Sequence, residues 1–218
     1  MPERRKLPPS ASVATPDENG KLFAPSPDRN AGVITDFVSS VAPVSGNALE
    51  IASGTGQHII QLAAAMPGLH WQPTEIAPER RASIDTYLSE ANLSNTSPAI
   101  QLDATAPGWG AHHQGQSLIL LVNLLHLVSK AEAQTLVAEA AQALKSGGLL
   151  VVYGPFMRGD TLISEGDARF HANLQSQDPE IGYKSDQTVI KWGIGAGLSH
   201  QRTTQMPANN LALCWQKT

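Results

Sequence analysis

The sequence predicts an α/β fold built on a mostly parallel sheet, and three observations predict it. A short apolar strand, Ala48–Ala52, runs through the turn Ser53-Gly54-Thr55-Gly56 into a segment of helical periodicity. Apolar strands and amphipathic helices then alternate as far as Tyr153, and parallel neighbours need a crossover helix between them. The chain closes differently. His200–Gln205 and Leu211–Gln216 are joined only through Met206-Pro207-Ala208-Asn209-Asn210, the pattern of an antiparallel hairpin.

Residues 1–30 are rich in proline and charge and lack periodicity, so they read as an extended arm ahead of a domain spanning 31–218. From Ala31 to Val41, Val33, Ile34, Phe37, Val38 and Val41 recur at helical spacing, and Pro43 and Gly46 end the helix. After Gly56, residues Ile59, Ile60, Leu62, Ala63 and Met66 line one helical face until Pro67-Gly68. Leu69–Ile76 is the second strand. Pro78 fits the first turn of a helix reaching Asn92, with Ile84, Tyr87 and Leu88 inward. Ala99–Leu102 is a short third strand ending at Asp103, and the glycine- and histidine-containing segment 104–116 reads as loop. Ser117–Val122 is a buried strand, Ala131–Lys145 an alanine-rich helix stopped by Gly147-Gly148, and Leu149–Tyr153 a fifth strand. Residues 154–185 are polar and irregular, an insertion or lid, and Thr188–Ala196 is helical. With the hairpin, the sheet has seven strands.

Composition excludes several classes. A net charge of −4 and a pI near 5.9 give no basic footprint for nucleic acid. The single cysteine, Cys214, rules out an internal disulfide or a cysteine zinc cluster, and its apolar surroundings read as a packed thiol. The longest apolar stretch, Leu118–Val128, includes Asn123 and His126 and falls short of the roughly 18 residues of a bilayer span. Charges followed by Pro8 and Pro9 are not a secretory leader, so the cytoplasm is the expected compartment. His112-His113 has no third ligand at metal spacing and reads as a solvated loop; no metal is expected. The expected partner is a small molecule, with no nucleic acid and no membrane, and the protein is a monomer or homodimer.

A glycine turn after the first strand serves a nucleotide-type ligand, because glycine lets the ligand approach the backbone and the helix behind it presents unpaired N–H groups. A phosphate-binding P-loop needs Lys-Ser/Thr after its last glycine, and here Gln57-His58 follows. A dinucleotide fold wants a third glycine where Ile59 stands, which weakens NAD without excluding it. S-adenosylmethionine fits better. Glu75 ends the second strand at about the 20-residue spacing expected of a ribose-binding acid. Asp103, with Ala104 beside it, ends the third strand where it can accept from the adenine amino group. Glu50, Ser53, Gly54, Thr55, Gly56 and His58 form the turn that faces the methionine end. Asn30 either helps cover the methionine carboxylate or caps the first helix.

Five blocks carry a resemblance: LEIASGTGQH (49–58), HWQPTEIAP (70–78), VNLLH (122–126), GGLLVVYGPF (147–156) and MPANN (206–210). They resemble the class I S-adenosylmethionine-dependent methyltransferases, and specifically a methyltransferase-like branch of unknown function with YGPF and MPANN motifs. The resemblance implies a Rossmann-like class I fold, a mostly parallel seven-stranded sheet with a C-terminal antiparallel hairpin, and adenosylmethionine as cofactor. Two positions depart from the pattern: Glu75 where aspartate is usual, and Ala52 where glycine is usual.

Methyl transfer is an in-line displacement that asks for positioning, plus a base where the nucleophile carries a proton. Asn123 and His126 follow the fourth strand and Tyr153 ends the fifth, which makes them the catalytic candidates. His126 reads as a base or as a hydrogen-bonded wall residue, and Asn123 as an amide contact to cofactor or substrate. Tyr153 and Phe156 frame the turn after the fifth strand, and aromatic rings suit a sulfonium. These two, with Asn209 and Asn210 of the hairpin, are the substrate-binding candidates. The expected activity is methyl transfer from adenosylmethionine to a small molecule. Its rivals are other sulfonium chemistry releasing methylthioadenosine, and a non-catalytic cofactor-binding protein.

Overall fold

A computed structural model describes residues 13–18 and 20–218. In chain order these form β1 (Thr15–Pro16), β2 (Leu22–Phe23), α1 (Pro25–Val41), β3 (Gly46–Ile51), α2 (Gln57–Ala65), β4 (Leu69–Pro73), α3 (Pro78–Ala91), α4 (Trp109–His112), β5 (Gln116–Val122), α5 (Lys130–Ala143), β6 (Leu144–Met157), α6 (Glu165–Gln177), β7 (Lys184–Ser185), α7 (Asp186–Gly195), β8 (Leu198–Gln205) and β9 (Asn210–Lys217). The main sheet has the order β4-β3-β5-β6-β9-β8, with β7 paired to β6. Strands β4, β3, β5 and β6 are parallel, and β9 and β8 close the sheet antiparallel. The Rossmann-like, mostly parallel fold with a terminal hairpin is therefore the observed one.

Both faces of the sheet are covered, as the continuous apolar runs of β5 and β6 require. Along β5, Ile119 and Leu121 face a core shared with α5 and α7, while Leu118 and Leu120 face the core of α1, α2 and α3. Cys214 is buried in β9, where burial pushes its thiol up to about 11. No helix among the described residues is long and apolar enough to cross a membrane. β3 pairs with β4 on one side and β5 on the other, so the chain reverses direction across the sheet there. Open α/β sheets bind ligands outside the strand C-termini at such a switch point.

Several elements differ from expectation. Helix α1 begins at Pro25 rather than Ala31, because a proline in the first turn has its φ preset and gives up only a donor that has no helical partner. The preceding residues are not simply extended: β1 and β2 pair antiparallel, and the expected arm at 1–12 lies outside the described residues. Ala99–Leu102 is not a strand. The chain here pairs only through isolated bridges, Thr96 with Trp71 of β4 and Ile100 with Thr74 just past it, and Pro98 between them has no N–H for a ladder. The seventh strand is instead the two-residue β7.

Segment 104–116 contains α4, whose first N–H groups at Gly108 and Gly110 are accepted by the Glu139 carboxylate from α5. Segment 154–185 is ordered rather than irregular: β6 runs on to Met157, and Ser164 caps α6 through the Asp167 N–H. Helix α5 starts one residue early under a Ser129–Glu132 capping box and ends at Ala143; Gly147-Gly148 lie inside β6 instead of stopping the helix.

Candidate cofactor and acceptor site

The turn after β3 is held open by backbone geometry. Ala52, Gly54 and Gly56 all take positive φ, at 52°, 63° and 100°. A Cβ built on Gly56 would lie 2.9 Å from Ile84 Cα, so only glycine lets α3 pack against the turn. Thr74, just past β4, locks the strand end. Its N–H and hydroxyl both donate to the Glu50 carbonyl, at 2.9 Å each.

Two carboxylates face this turn in different states. The Glu75 Oε2 accepts from the Gly54 N–H (3.2 Å), and Oε1 from the N–H groups of Ile76 (2.8 Å) and Ala77 (3.2 Å). Glu50 is 1 % exposed, and its Oε2 has no partner. Burial pushes the Glu50 carboxyl up to about 8; a hydrogen bond from Ser53 opposes this and the Glu75 charge adds to it. Asp103 Oδ1 accepts from the Thr105 N–H (3.0 Å) and hydroxyl (2.6 Å), and Ala104 beside it is buried. Arg80, which sequence reasoning passed over, lies against the turn: a Cβ on Gly54 would sit 3.6 Å from its Nη1. The Arg80-Arg81 pair just inside α3, shortly after Glu75, was the available signal.

Asn30 sits inside α1, not at its cap, because Pro25 starts the helix upstream. Its Oδ1 lies 2.8 Å from His58 Nε2. Burial pushes the His58 pKa down to about 4, so the ring is neutral. The Tyr153 hydroxyl lies against the side chains of both Asn30 and Asn210, and burial raises its pKa. Four residues assigned separately from sequence thus form one polar chain, from the first turn of α2 through α1 and β6 to the terminal hairpin.

Asn123 has φ 54°, donates its N–H to the Tyr153 carbonyl (2.9 Å), and packs its amide oxygen over Gly154. His126 lies farther out, in a 3-10 turn at Leu125–Leu127, buried against the rings of Phe170 (5.8 Å) and Tyr183 (6.3 Å). Burial, with the Lys184 charge nearby, pushes its pKa down to about 3. Phe156 is not with Tyr153. An odd number of residues apart on β6, they face opposite cores, and Phe156 belongs to the one shared with α5 and α7. Asn209 turns toward α6, where its Nδ2 donates to Asp167 Oδ2 (3.1 Å), an oxygen that also accepts from Ser164 Oγ (2.8 Å). The Tyr183 hydroxyl lies 3.2 Å from Asp167 Oδ1. Asp167 and Tyr183 were missed because only tertiary folding of 154–185 brings them here.

A family model described as "Protein of unknown function (DUF938)" matches residues 21–217. The chain belongs to this family. Solved structures of similar fold include an O-methyltransferase family protein from Burkholderia thailandensis (TM-score 0.74, 18 % identity, covering 88 % of this chain and 58 % of that one). A putative O-methyltransferase from Nostoc punctiforme PCC 73102 is similar at TM-score 0.74 and 19 % identity, over 87 % of this chain and 56 % of that one. Human N-acetylserotonin methyltransferase, solved in complex with SAM, is similar at TM-score 0.69 and 16 % identity, over 86 % and 51 %. This DUF938 chain spans little more than half the length of each, and at such identities the likeness shows the methyltransferase fold. In the DUF938 chain the glycine turn, Glu50, Glu75, His58 and Asn30 gather at one end of β3, with Tyr153 and Asn210 continuing from them; Phe156, His126 and Asn209 belong to neighbouring clusters.

Proposed function

We propose that this chain is an S-adenosylmethionine-dependent methyltransferase acting on a small molecule. The observation that carries the reading is Glu50: a fully buried carboxylate beside the glycine turn with one oxygen unpaired. A buried polar atom without a partner is costly, and the α-ammonium of adenosylmethionine is a cation of the right kind to pair with it. Glu75, oriented by three backbone N–H groups, keeps lone pairs for the ribose hydroxyls. Asp103 and Ala104 stand for adenine at the end of the segment beside β4. His58 and Asn30 close the methionine end. When bound, the cofactor supplies an electrophilic methyl on a sulfonium.

On the acceptor side the groups are neutral. Tyr153 stays a protonated phenol, and Asn123 carries its amide at a left-handed backbone position just past β5. His126 is a neutral imidazole at neutral pH and, with its pKa near 3, is a weak base. It acts as wall, and the reading favours an acceptor that arrives with its nucleophilic lone pair free. The names of the similar structures, O-methyltransferases among them, support a small-molecule acceptor.

Calorimetric titration of the purified chain with adenosylmethionine, with NAD as control, tests the site. Chromatography of the incubated nucleosides then tests the reaction. Micromolar binding without NAD binding, and adenosylhomocysteine as product, are expected. Methylthioadenosine as product would replace methyl transfer by other sulfonium chemistry, and unaltered cofactor across broad substrate pools would favour a binding protein. Absence of binding overturns the reading.

A further inference from the structure

The segment just ahead of α1 is tied to the glycine turn by two buried side chains that the functional reading leaves unused. Leu22 donates its backbone N–H to Ser83 Oγ (2.8 Å), and the same hydroxyl donates to the carbonyl of Thr55 (2.8 Å). Ala24 donates its N–H to Gln57 Oε1 (2.7 Å), which also accepts from the Thr55 hydroxyl (2.9 Å). Ser83 is 0 % exposed and Gln57 7 %. Both polar handles of Thr55, its carbonyl and its hydroxyl, are therefore held by side chains whose other bond goes to residues 22–24. Tyr87 adds a third tie. Its hydroxyl donates to the Leu22 carbonyl (3.2 Å), while its ring packs where a Gly56 Cβ would come within 3.1 Å of Cδ2. Lys21 lies over that ring, 4.9 Å from its centroid, and pairs with Glu90.

We infer that residues 21–24 are a strap that sets the conformation of the cofactor turn, with Ser83 and Gln57 as positioning residues. The inference rests on the cofactor reading of that turn. A turn with left-handed residues at Ala52, Gly54 and Gly56 gets little help from regular pairing. Its own backbone closes only one bond, from the Gly56 N–H to the Ser53 carbonyl at 3.2 Å. Bonds to Thr55 from buried side chains narrow its alternatives, and in a low-dielectric interior such bonds are strong. Because coupling between two equilibria is reciprocal, whatever the strap does for cofactor binding, cofactor binding does for the strap.

The experiment is site-resolved amide hydrogen exchange and calorimetry on the full chain, wild type and two variants. Tyr87→Phe removes only the strap-side hydroxyl and leaves the ring on Gly56. Ser83→Ala removes the bridge itself. In the absence of ligand, Tyr87→Phe speeds exchange at Leu22 and Ala24 and, through the bonds that the strap's partners make to Thr55, at Gly56. Adenosylmethionine slows exchange at Leu22 and Ala24 in the wild type, a change that a merely structural contact would not undergo. Affinity for adenosylmethionine falls about threefold in Tyr87→Phe and about tenfold in Ser83→Ala, the size of single hydrogen bonds. Faster exchange at Leu22 with Gly56 unchanged, or wild-type affinity in both variants, overturns the strap. Should Ser83→Ala fail to fold, Tyr87→Phe alone decides. A wild-type chain that binds no adenosylmethionine overturns the cofactor reading and this inference with it, and is distinct from binding that the variants leave untouched.

Discussion

Glu50 makes the stability of the protein fall with rising pH in a range where the site's lowered histidine, His58, acts with the opposite sign. Its carboxyl is raised from 4.5 to about 8, so between those values the folded chain holds a proton that the unfolded chain has released, and stability falls as pH rises. The lowered histidines work the other way. His58, near 4, and His126, near 3, are neutral in the fold where the unfolded chain would be protonated, so their contribution grows with pH through 6.5 and levels off about one unit above it. His113 and His171 are lowered as well and follow the same sign. Lys184, lowered from 10.5 to about 8, adds stability only above about pH 8. Between pH 6.5 and 8 the histidine contributions are still levelling off with the opposite sign, so the Glu50 contribution is read as the difference between the wild type and Glu50→Gln. About 1.5 pH units at about 1.4 kcal/mol each give about 2 kcal/mol lost over that range. With Glu50 1 % exposed, solvent screening takes little from this.

For a domain of this size 2 kcal/mol corresponds to a fall of roughly 4–8 °C in melting temperature. The assay is thermal and urea unfolding at pH 6.5 and pH 8 for the wild type and for Glu50→Gln. Relative to Glu50→Gln, the wild type should lose about 2 kcal/mol across the window. Saturating adenosylmethionine should bring the wild-type profile parallel to that of Glu50→Gln, because the α-ammonium keeps the carboxylate ionised. Parallel profiles for the two proteins between pH 6.5 and 8 would show that Glu50 is ionised in the fold and that the reasoning fails.

Three further outcomes are expected. Ala52→Gly relieves a left-handed alanine at φ 52° and should stabilise the chain by roughly 0.5–1 kcal/mol in urea unfolding, net of the extra chain entropy of glycine; a loss of stability refutes the strain. Gly56→Ala places a methyl 2.9 Å from Ile84 Cα at φ 100°, and should cost roughly 2–4 kcal/mol and abolish adenosylmethionine binding by calorimetry. Ser129→Ala breaks the α5 capping box far from the turn and should cost about 1 kcal/mol while leaving the dissociation constant unchanged; a weakened cofactor complex would mean that α5 reaches the site.

What the sequence made legible was whatever depends on neighbours along the chain. The glycine turn, the proline starts and the apolar periodicities placed β3, α2, β4, α3 and the terminal hairpin, and with them Glu50 and Glu75. Pairings across long separations were not legible. Nothing near Gly108 announces that Glu139 will cap it, and nothing in Ala99–Leu102 says that the ladder fails around Pro98. Tyr153 and Phe156 look like one aromatic pair in sequence. Period-two alternation sends them to opposite faces once β6 is seen to continue through Gly154-Pro155 to Met157. Asn30 read equally well as cap or ligand, and only the start of α1 at Pro25 excludes the cap.

The distribution of unfavourable features across the fold is itself an argument about where the work is done. Away from the turn, α5 has a complete capping box and Asp167 takes hydrogen bonds from Ser164, Asn209 and Tyr183, while the buried polar atoms without a partner, on Trp71, Gln116, Ser117 and Trp215, belong to uncharged side chains. The switch-point end holds two of the non-glycine residues at positive φ, Ala52 and Asn123, and a buried carboxylate with an unpaired oxygen. Strain of this kind costs on the order of 1–3 kcal/mol per residue and persists only where the surrounding structure enforces it. β5 and β6 enforce it at Asn123, whose N–H is bonded across to Tyr153; Thr74 enforces it at the mouth of the turn, through its two bonds to the Glu50 carbonyl. Among the described residues, the one buried ionisable side chain with an unpaired oxygen thus stands beside the glycine turn, and a ligand bringing a cation to Glu50 and hydroxyls to Glu75 would offset its cost there.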